Sequence, residues 1–222
     1  MIIAIVITVI ILLIFASKSE SFQEKRMVTS SIDGRDYSIS AGSWWGSSSL
    51  DGSNAKFVKS ANMLAYMNKF IVCVLRFIRA RYLRSGDTPS WYPFTSTGEF
   101  RAFLNRLIDR YDPNVLRENV PTSTKNTSFV RNKGEEVAFC IRKTGGAYHD
   151  EVHTLQFVAL HELTHIGTKD YGHGRQFWRN FKLVLMMARE SGFYTAVDYG
   201  IKNSNYCGLN ISYNPIFDDN LT

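Results

Sequence analysis

Cysteine is scarce in this sequence: three residues in 222, Cys73, Cys140 and Cys207, with no CxxC pair. That excludes a framework of several disulfides and a zinc ribbon built on paired cysteines, and leaves room for a single bridge. Charge is missing altogether from residues 1–17. Acid is missing from residues 53–84, which carry seven basic side chains, Lys56, Lys59, Lys69, Arg76, Arg79, Arg81 and Arg84. The whole chain sums to +6 from 26 Lys+Arg against 20 Asp+Glu, so everything outside that segment sums to −1. Any attraction to nucleic acid or to anionic lipid is therefore expected from this one segment. No repeat of 20–50 residues is present, which excludes solenoids and propellers. With 45% hydrophobic and 14% aromatic residues, the composition is that of a folded chain, and its length suits one domain plus a tail.

The uncharged run MIIAIVITVIILLIFAS, residues 1–17, reads as a membrane segment. At 1.5 Å per residue it spans roughly 25 Å against a hydrocarbon core of about 30 Å, at the short end of the spanning range. A cleaved signal peptide competes with this reading: the run lacks a basic n-region, but Ser17 and Ser19 are small enough for a cleavage site. Lys18, Lys25 and Arg26 follow the run. The expectation is a single-pass membrane protein with its C-terminal domain in the cytosol. The chain then divides into an anchor (1–17), a linker with a short strand (18–52) and a folded domain (53–222).

Within 54–84, Leu64, Met67, Ile71, Val74, Leu75, Ile78 and Tyr82 recur at helical spacing, with Lys69, Arg76 and Arg79 opposite. This predicts a long amphipathic helix capped by Ser53 and stopped by Gly86. It is not a second membrane span, because charges interrupt it too often. The three basic residues are candidate contacts for nucleic acid or lipid headgroups, with a solvated helix face as the plainer alternative. Pro89 and Pro93 break the chain. Thr97 with Glu99 opens a shorter helix that ends before Pro113. Residues 112–134 read as loop, and the alternation around Val137, Phe139 and Ile141 predicts a strand. Asp150 is placed to cap a helix running to about Ile166. A last helix covers about 176–190, and a Tyr- and Asn-rich tail follows.

His161-Glu162-Leu163-Thr164-His165 is an HExxH. On a helix, residues i and i+4 share a face, so the two imidazoles can reach one zinc ion while Glu162 takes a proton from water beside it. A catalytic zinc needs a third protein ligand. His173 ranks first, because Gly167, Gly172 and Gly174 let the chain leave the helix and return; Glu190 and Asp170 are the alternatives. A second histidine pair, His149 and His153, has the same spacing but follows a Gly-Gly turn, where exposed polar residues are expected. Tyr194, Tyr199, Tyr206 or Arg142 could stabilise an oxyanion. The strand at 137–141 is the expected site for an extended substrate to add as another strand.

HELTH followed by His173-Gly-Arg-Gln-Phe177-Trp178 resembles the SprT/Spartan and WLM metalloproteases over about residues 135–190. The resemblance implies a minimal zincin-like α+β domain of helices with a small sheet. It also implies zinc held by His161, His165 and His173, and Glu162 as catalytic base. Well-known members of that group degrade proteins crosslinked to DNA, whereas this chain adds an apolar N-terminal segment and no Cys/His finger. The reading from sequence is thus a membrane-anchored zinc metalloendopeptidase acting on a protein or peptide substrate. The competing reading is a non-catalytic membrane protein whose structural zinc site serves a binding module.

Overall fold

The apolar stripe predicted for 54–84 becomes the central helix of the fold. The computed structural model describes residues 25–40, 50–89, 96–120, 127–143 and 147–221. Among these, the chain is a mixed α+β structure with four α-helices and two small sheets. The apolar run 1–17, Trp44-Trp45, Pro93 and the Gly145-Gly146 turn lie outside the described residues.

Helix α1 (Leu50–Ile78) starts a turn before the expected Ser53 cap and continues as a π-helical turn to Arg84. By length and composition alone the stretch Asn54–Arg84 could cross a membrane. Instead it packs against three strands and three helices, burying Leu64, Met67, Ile71, Val74 and Ile78. Lys69, Arg76 and Arg79 are exposed on its other side, as the periodicity requires. Asn68 on the buried side of α1 is held between two tyrosines: its Nδ2 donates to the Tyr37 hydroxyl at 3.0 Å, and the Tyr111 hydroxyl donates to its Oδ1 at 2.9 Å. A buried amide so partnered costs little and fixes the rotation of α1 against its neighbours.

The main sheet has five strands in the order β1-β2-β3-β5-β4. Strands β1 (Lys25–Thr29) and β2 (Asp36–Ser40) form a hairpin. β2 runs parallel to β3 (Leu116–Glu118), β3 runs parallel to β5 (Glu136–Phe139), and β4 (Phe129–Arg131) closes the edge antiparallel to β5. Three sequence expectations are corrected here. Residues 18–52 contribute core rather than only linker, since Tyr37 and Ile39 are buried. Residues 112–134 carry β3 and β4, each only three residues long and too short to show an alternation. Finally, the strand at 137–141 offers no edge, because β5 is paired on both sides; among the described residues the edge strands are β1 and β4.

Helix α2 (Thr97–Arg110) is capped by Ser96, whose hydroxyl accepts from the Glu99 amide. Helix α3 (Val152–Gly167) is not capped by Asp150, which pairs with Lys143 instead. Helix α4 (Arg175–Glu190) follows after a seven-residue turn. The tail adds a hairpin, β6 (Ser204–Tyr206) and β7 (Leu209–Ile211), and a 3₁₀ turn at Pro215–Phe217. Tyr194, Tyr199 and Tyr206 are all buried, so the tail is part of the core. A knot of buried charge joins the strands: Arg142 pairs with Glu118, whose other oxygen accepts from the Ser40 amide at 3.0 Å, and Arg142 reaches the Ser40 carbonyl. Burial raises the Glu118 pKa, and the guanidinium beside it opposes that rise.

Helices α2 and α3 meet closely at Gly167. A β-carbon there would lie 2.6 Å from Leu107 Cδ2 and 2.7 Å from Phe103 Cε2, both on fully buried side chains. Gly167→Ala is therefore expected to destabilise the full-length chain by about 1–3 kcal/mol, overpacking outweighing the gain in helix propensity. Denaturant unfolding followed by circular dichroism measures this, and an unchanged midpoint would refute the close contact.

Candidate metal centre

Helix α3 is buried on nearly every side, from Thr154 through Leu160 and again from Glu162 to Thr164. Its exposed sector is narrow, and His161 and His165 share it one turn apart. After Gly167 the chain leaves the helix. The Thr168 hydroxyl donates to the Thr164 carbonyl at 2.8 Å and accepts from Asn180 Nδ2 on α4 at 2.9 Å, which fixes the exit of α3 against α4. Lys133, just after β4, donates to the Asp170 carbonyl at 2.7 Å and lies over the Tyr171 ring. Gly172 then takes φ +78, a conformation open to glycine and strained for most other residues, and His173 turns back toward α3.

The three imidazoles converge. Nε2 of His161 is 2.9 Å from Nε2 of His173 and 3.2 Å from Nε2 of His165; the His165–His173 distance is 3.1 Å. Three neutral imidazole nitrogens in a triangle cannot all hydrogen-bond to one another. Whichever nitrogens carry protons, at least one pair meets donor to donor or lone pair to lone pair. A cation at the centre satisfies all three lone pairs at once. Zinc–nitrogen bonds of 2.0–2.1 Å in tetrahedral array imply nitrogens about 3.3 Å apart, close to what is observed. The donor set therefore fits zinc. Burial, reinforced at His161 and His165 by neighbouring positive charge, keeps the imidazoles neutral: the pKa of His161 is pushed far down, that of His165 down to about 3, and that of His173 down. Aromatic rings of α4 hold them in place, with Phe177 stacked on His165 at 4.3 Å and Trp178 tilted against His173 at 6.0 Å.

Glu162 faces a cleft of about 450 Å³, lined also by His161, His173, Phe157, Trp178 and Tyr206. Its side chain is buried, its Oε2 has no hydrogen-bond partner, and desolvation lifts its pKa to about 8. A buried carboxyl without a partner marks a place where a cation or water is called for.

The structure thus brings together His161, His165, His173 and Glu162, and leaves the alternatives elsewhere. Glu190 accepts from the Tyr82 hydroxyl and pairs with Arg81, and Asp170 stands outside the cluster. Among the oxyanion candidates, only Tyr206 lines the cleft, and all four are engaged: the Tyr206 hydroxyl donates to the Cys140 carbonyl at 2.7 Å, Arg142 pairs with Glu118, Tyr194 meets Asn214 and Tyr199 meets Thr154. The His149/His153 pair does not assemble. His153 is exposed, and His149, contrary to the expectation from the Gly-Gly turn, is buried. Sequence reasoning missed Lys133, whose role depends on a contact 37 residues away. It also missed Tyr213 and the β6–β7 hairpin as cleft walls.

No family model and no solved structure matches the chain. Three curated viral relatives do. An uncharacterized protein of Acanthamoeba polyphaga mimivirus is 31% identical over 112 residues, 50% of this chain and 56% of its own length. An uncharacterized protein of Invertebrate iridescent virus 6 is 31% identical over 117 residues, 52% and 62%. One of Invertebrate iridescent virus 3 is 31% identical over 98 residues, 44% and 59%. The chain thus spans between half and two thirds of the length of the curated relatives it matches.

Proposed function

We propose that this protein is a zinc-dependent metallopeptidase of zincin type, anchored to a membrane through residues 1–17 with its catalytic domain in the cytosol. The observation that carries the reading is the triangle of three Nε2 atoms at 2.9–3.2 Å with the unpartnered Glu162 carboxyl in the same cleft. The resemblance of the HELTH and His173-Gly-x-x-Phe177-Trp178 elements to SprT/Spartan and WLM metalloproteases points the same way. A purely structural zinc would not call for a buried, unpaired acid beside it.

His161, His165 and His173 would hold the metal. Bound zinc supplies Lewis acidity, polarising a peptide carbonyl and acidifying a water. Glu162, whose pKa a bound cation would bring down from about 8, would take a proton from water at Oε2 and return it to the leaving amine nitrogen. The apolar walls, Phe157, Val158, Phe181 and Ile211, keep bulk water out and receive apolar side chains of the substrate. The free edge of β4 runs on from Thr127 and Ser128, which line the cleft, so an extended peptide has backbone groups to pair with there. The exposed Lys69, Arg76 and Arg79 are proposed as a secondary contact for nucleic acid or anionic headgroups.

The full-length chain in detergent is expected to bind one zinc at this site and to lose it in His161→Ala or His165→Ala. Chelation of the unaltered chain should abolish activity, and zinc should restore it. Metal analysis showing undiminished zinc in the double variant would refute the ligand set.

Glu162→Gln preserves size and removes the base. It should keep zinc content and melting temperature while cleavage of an unfolded protein falls by about 10² or more. If the unaltered chain shows no cleavage that Glu162→Gln removes, with or without single-stranded DNA, the structural-zinc reading replaces this one. Cleavage indifferent to DNA and to charge reversal at Lys69, Arg76 and Arg79 would leave the peptidase and remove the nucleic-acid contact.

A further inference from the structure

Cys140 follows β5 directly, and Cys207 sits at the tip of the β6–β7 hairpin. They are joined by a disulfide across 67 residues. Cys207 holds φ +50 and Gly208 φ +84, the paired left-handed conformations of a two-residue hairpin turn. A cysteine there gives up the conformational ease of Asn or Gly, so its sulfur is placed against a backbone preference.

His149 is the unexplained neighbour. It is 5% exposed, its ring lies against Tyr206 at 5.0 Å between centroids, and its Nε2 is 3.0 Å from Cys207 Sγ. A sulfur already in a disulfide has no proton to give and accepts weakly, so a buried imidazole aimed at it gains little from the contact. Its position makes sense for a different state of the same sulfurs. Nε2 and the two Sγ atoms all lie within 4.8 Å of one another, and the Arg142 carbonyl oxygen is 3.2 Å from Cys140 Sγ and 3.6 Å from Cys207 Sγ.

We propose that Cys140, Cys207 and His149 form a redox-interchangeable clasp: a disulfide when oxidised, and a two-thiolate, one-imidazole zinc site when reduced. A small dithiol reductant transfers two electrons and two protons to the disulfide and itself becomes a disulfide. The two thiols then lose their protons as zinc binds. Zinc–sulfur bonds of about 2.3 Å require the sulfurs to separate to roughly 3.8 Å, a displacement that a hairpin tip can make. Either form ties the hairpin to the end of β5. That tie bears on the cleft, because Tyr206, Leu209, Asn210 and Ile211 of the hairpin line it, and the Tyr206 hydroxyl donates to the Cys140 carbonyl at 2.7 Å. Reduction without metal would release this wall; reduction with metal would keep it.

The site differs chemically from the three-histidine centre in having sulfur, which makes its test independent of the function proposed above. The full-length chain in detergent is titrated with Co2+ before and after reduction. The reduced chain is expected to bind one more metal than the oxidised chain and to develop the intense near-ultraviolet band of thiolate-to-cobalt charge transfer, which a site of imidazoles cannot give. Cys140→Ser and Cys207→Ser should abolish the band, while Cys73→Ser, removing the half-buried third cysteine, should leave it. His149→Ala should keep the band but shift it to higher cobalt concentration. Equal metal content in the two redox states without the band would overturn the proposal, reducing the pair to a fixed staple. So would a band that survives Cys207→Ser or disappears with Cys73→Ser.

Discussion

The packing around helix α3 is organised by one electrostatic conflict: three imidazole nitrogens held within 3.2 Å of one another, in an environment that prevents them from charging. Left alone, such a triangle always contains at least one repulsive contact, and burial opposes the protonation that would turn lone-pair contacts into charge-assisted hydrogen bonds. The surrounding structure resists the obvious relief, which is rotation of a ring away. Phe177 stacks on His165, Phe181 meets His161 edge-on at 5.1 Å, and Thr168 and Asn180 pin the exit of the helix. A protein that spends packing energy on keeping lone pairs together is preorganised for what those lone pairs bind.

The same logic extends outward in polar steps. Several buried polar groups beyond the histidines have neighbours suited to their protonation state. Glu118 has a guanidinium and an amide, Asn68 has two phenols, and Thr164 gives its hydroxyl to the Leu160 carbonyl. Among the described residues, buried oxygens and nitrogens without a hydrogen-bond partner occur also on Glu136 and Arg142, but those side chains are ion-paired; the Glu162 carboxyl is not, and its partner is read as belonging to function rather than to folding.

What the sequence made legible was what is local. The helices at 54–84, 97–112 and 176–190 followed from 3.6-residue spacing and from glycine and proline stops, and their ends moved by a turn or less. The HExxH pair was legible because i,i+4 spacing on a helix is itself geometry, and His173 because glycines bracket it. The sheet was legible at β5 and, as a single short strand, in the 18–52 stretch that holds β1 and β2. Strands β3, β4, β6 and β7 are three residues each, so no alternation can register, and their existence depends on partners far along the chain. For that reason β5 was mistaken for an edge. The environment of His149 was illegible for the same cause. A histidine after a Gly-Gly turn reads as exposed until a hairpin 58 residues later folds over it. Asp150 reads as a cap, yet Lys143 offers its carboxylate a charge and takes it away from the helix.

The order of the parts along the chain has a consequence for how the cleft comes into being. The metal-holding nitrogens lie within residues 161–173, so bringing them together closes a short loop and costs little chain entropy. The opposite wall, from Ser204 onward, arrives after helix α4 has intervened, and its closure onto β5 spans 67 residues. The two walls are therefore different kinds of object. One is a nearly contiguous module that any surrounding scaffold could carry. The other is a long-range closure that exists only once the far part of the chain is in place. The interior of the cleft is accordingly complete only once the hairpin, with its core residue Tyr206, has closed onto the end of β5.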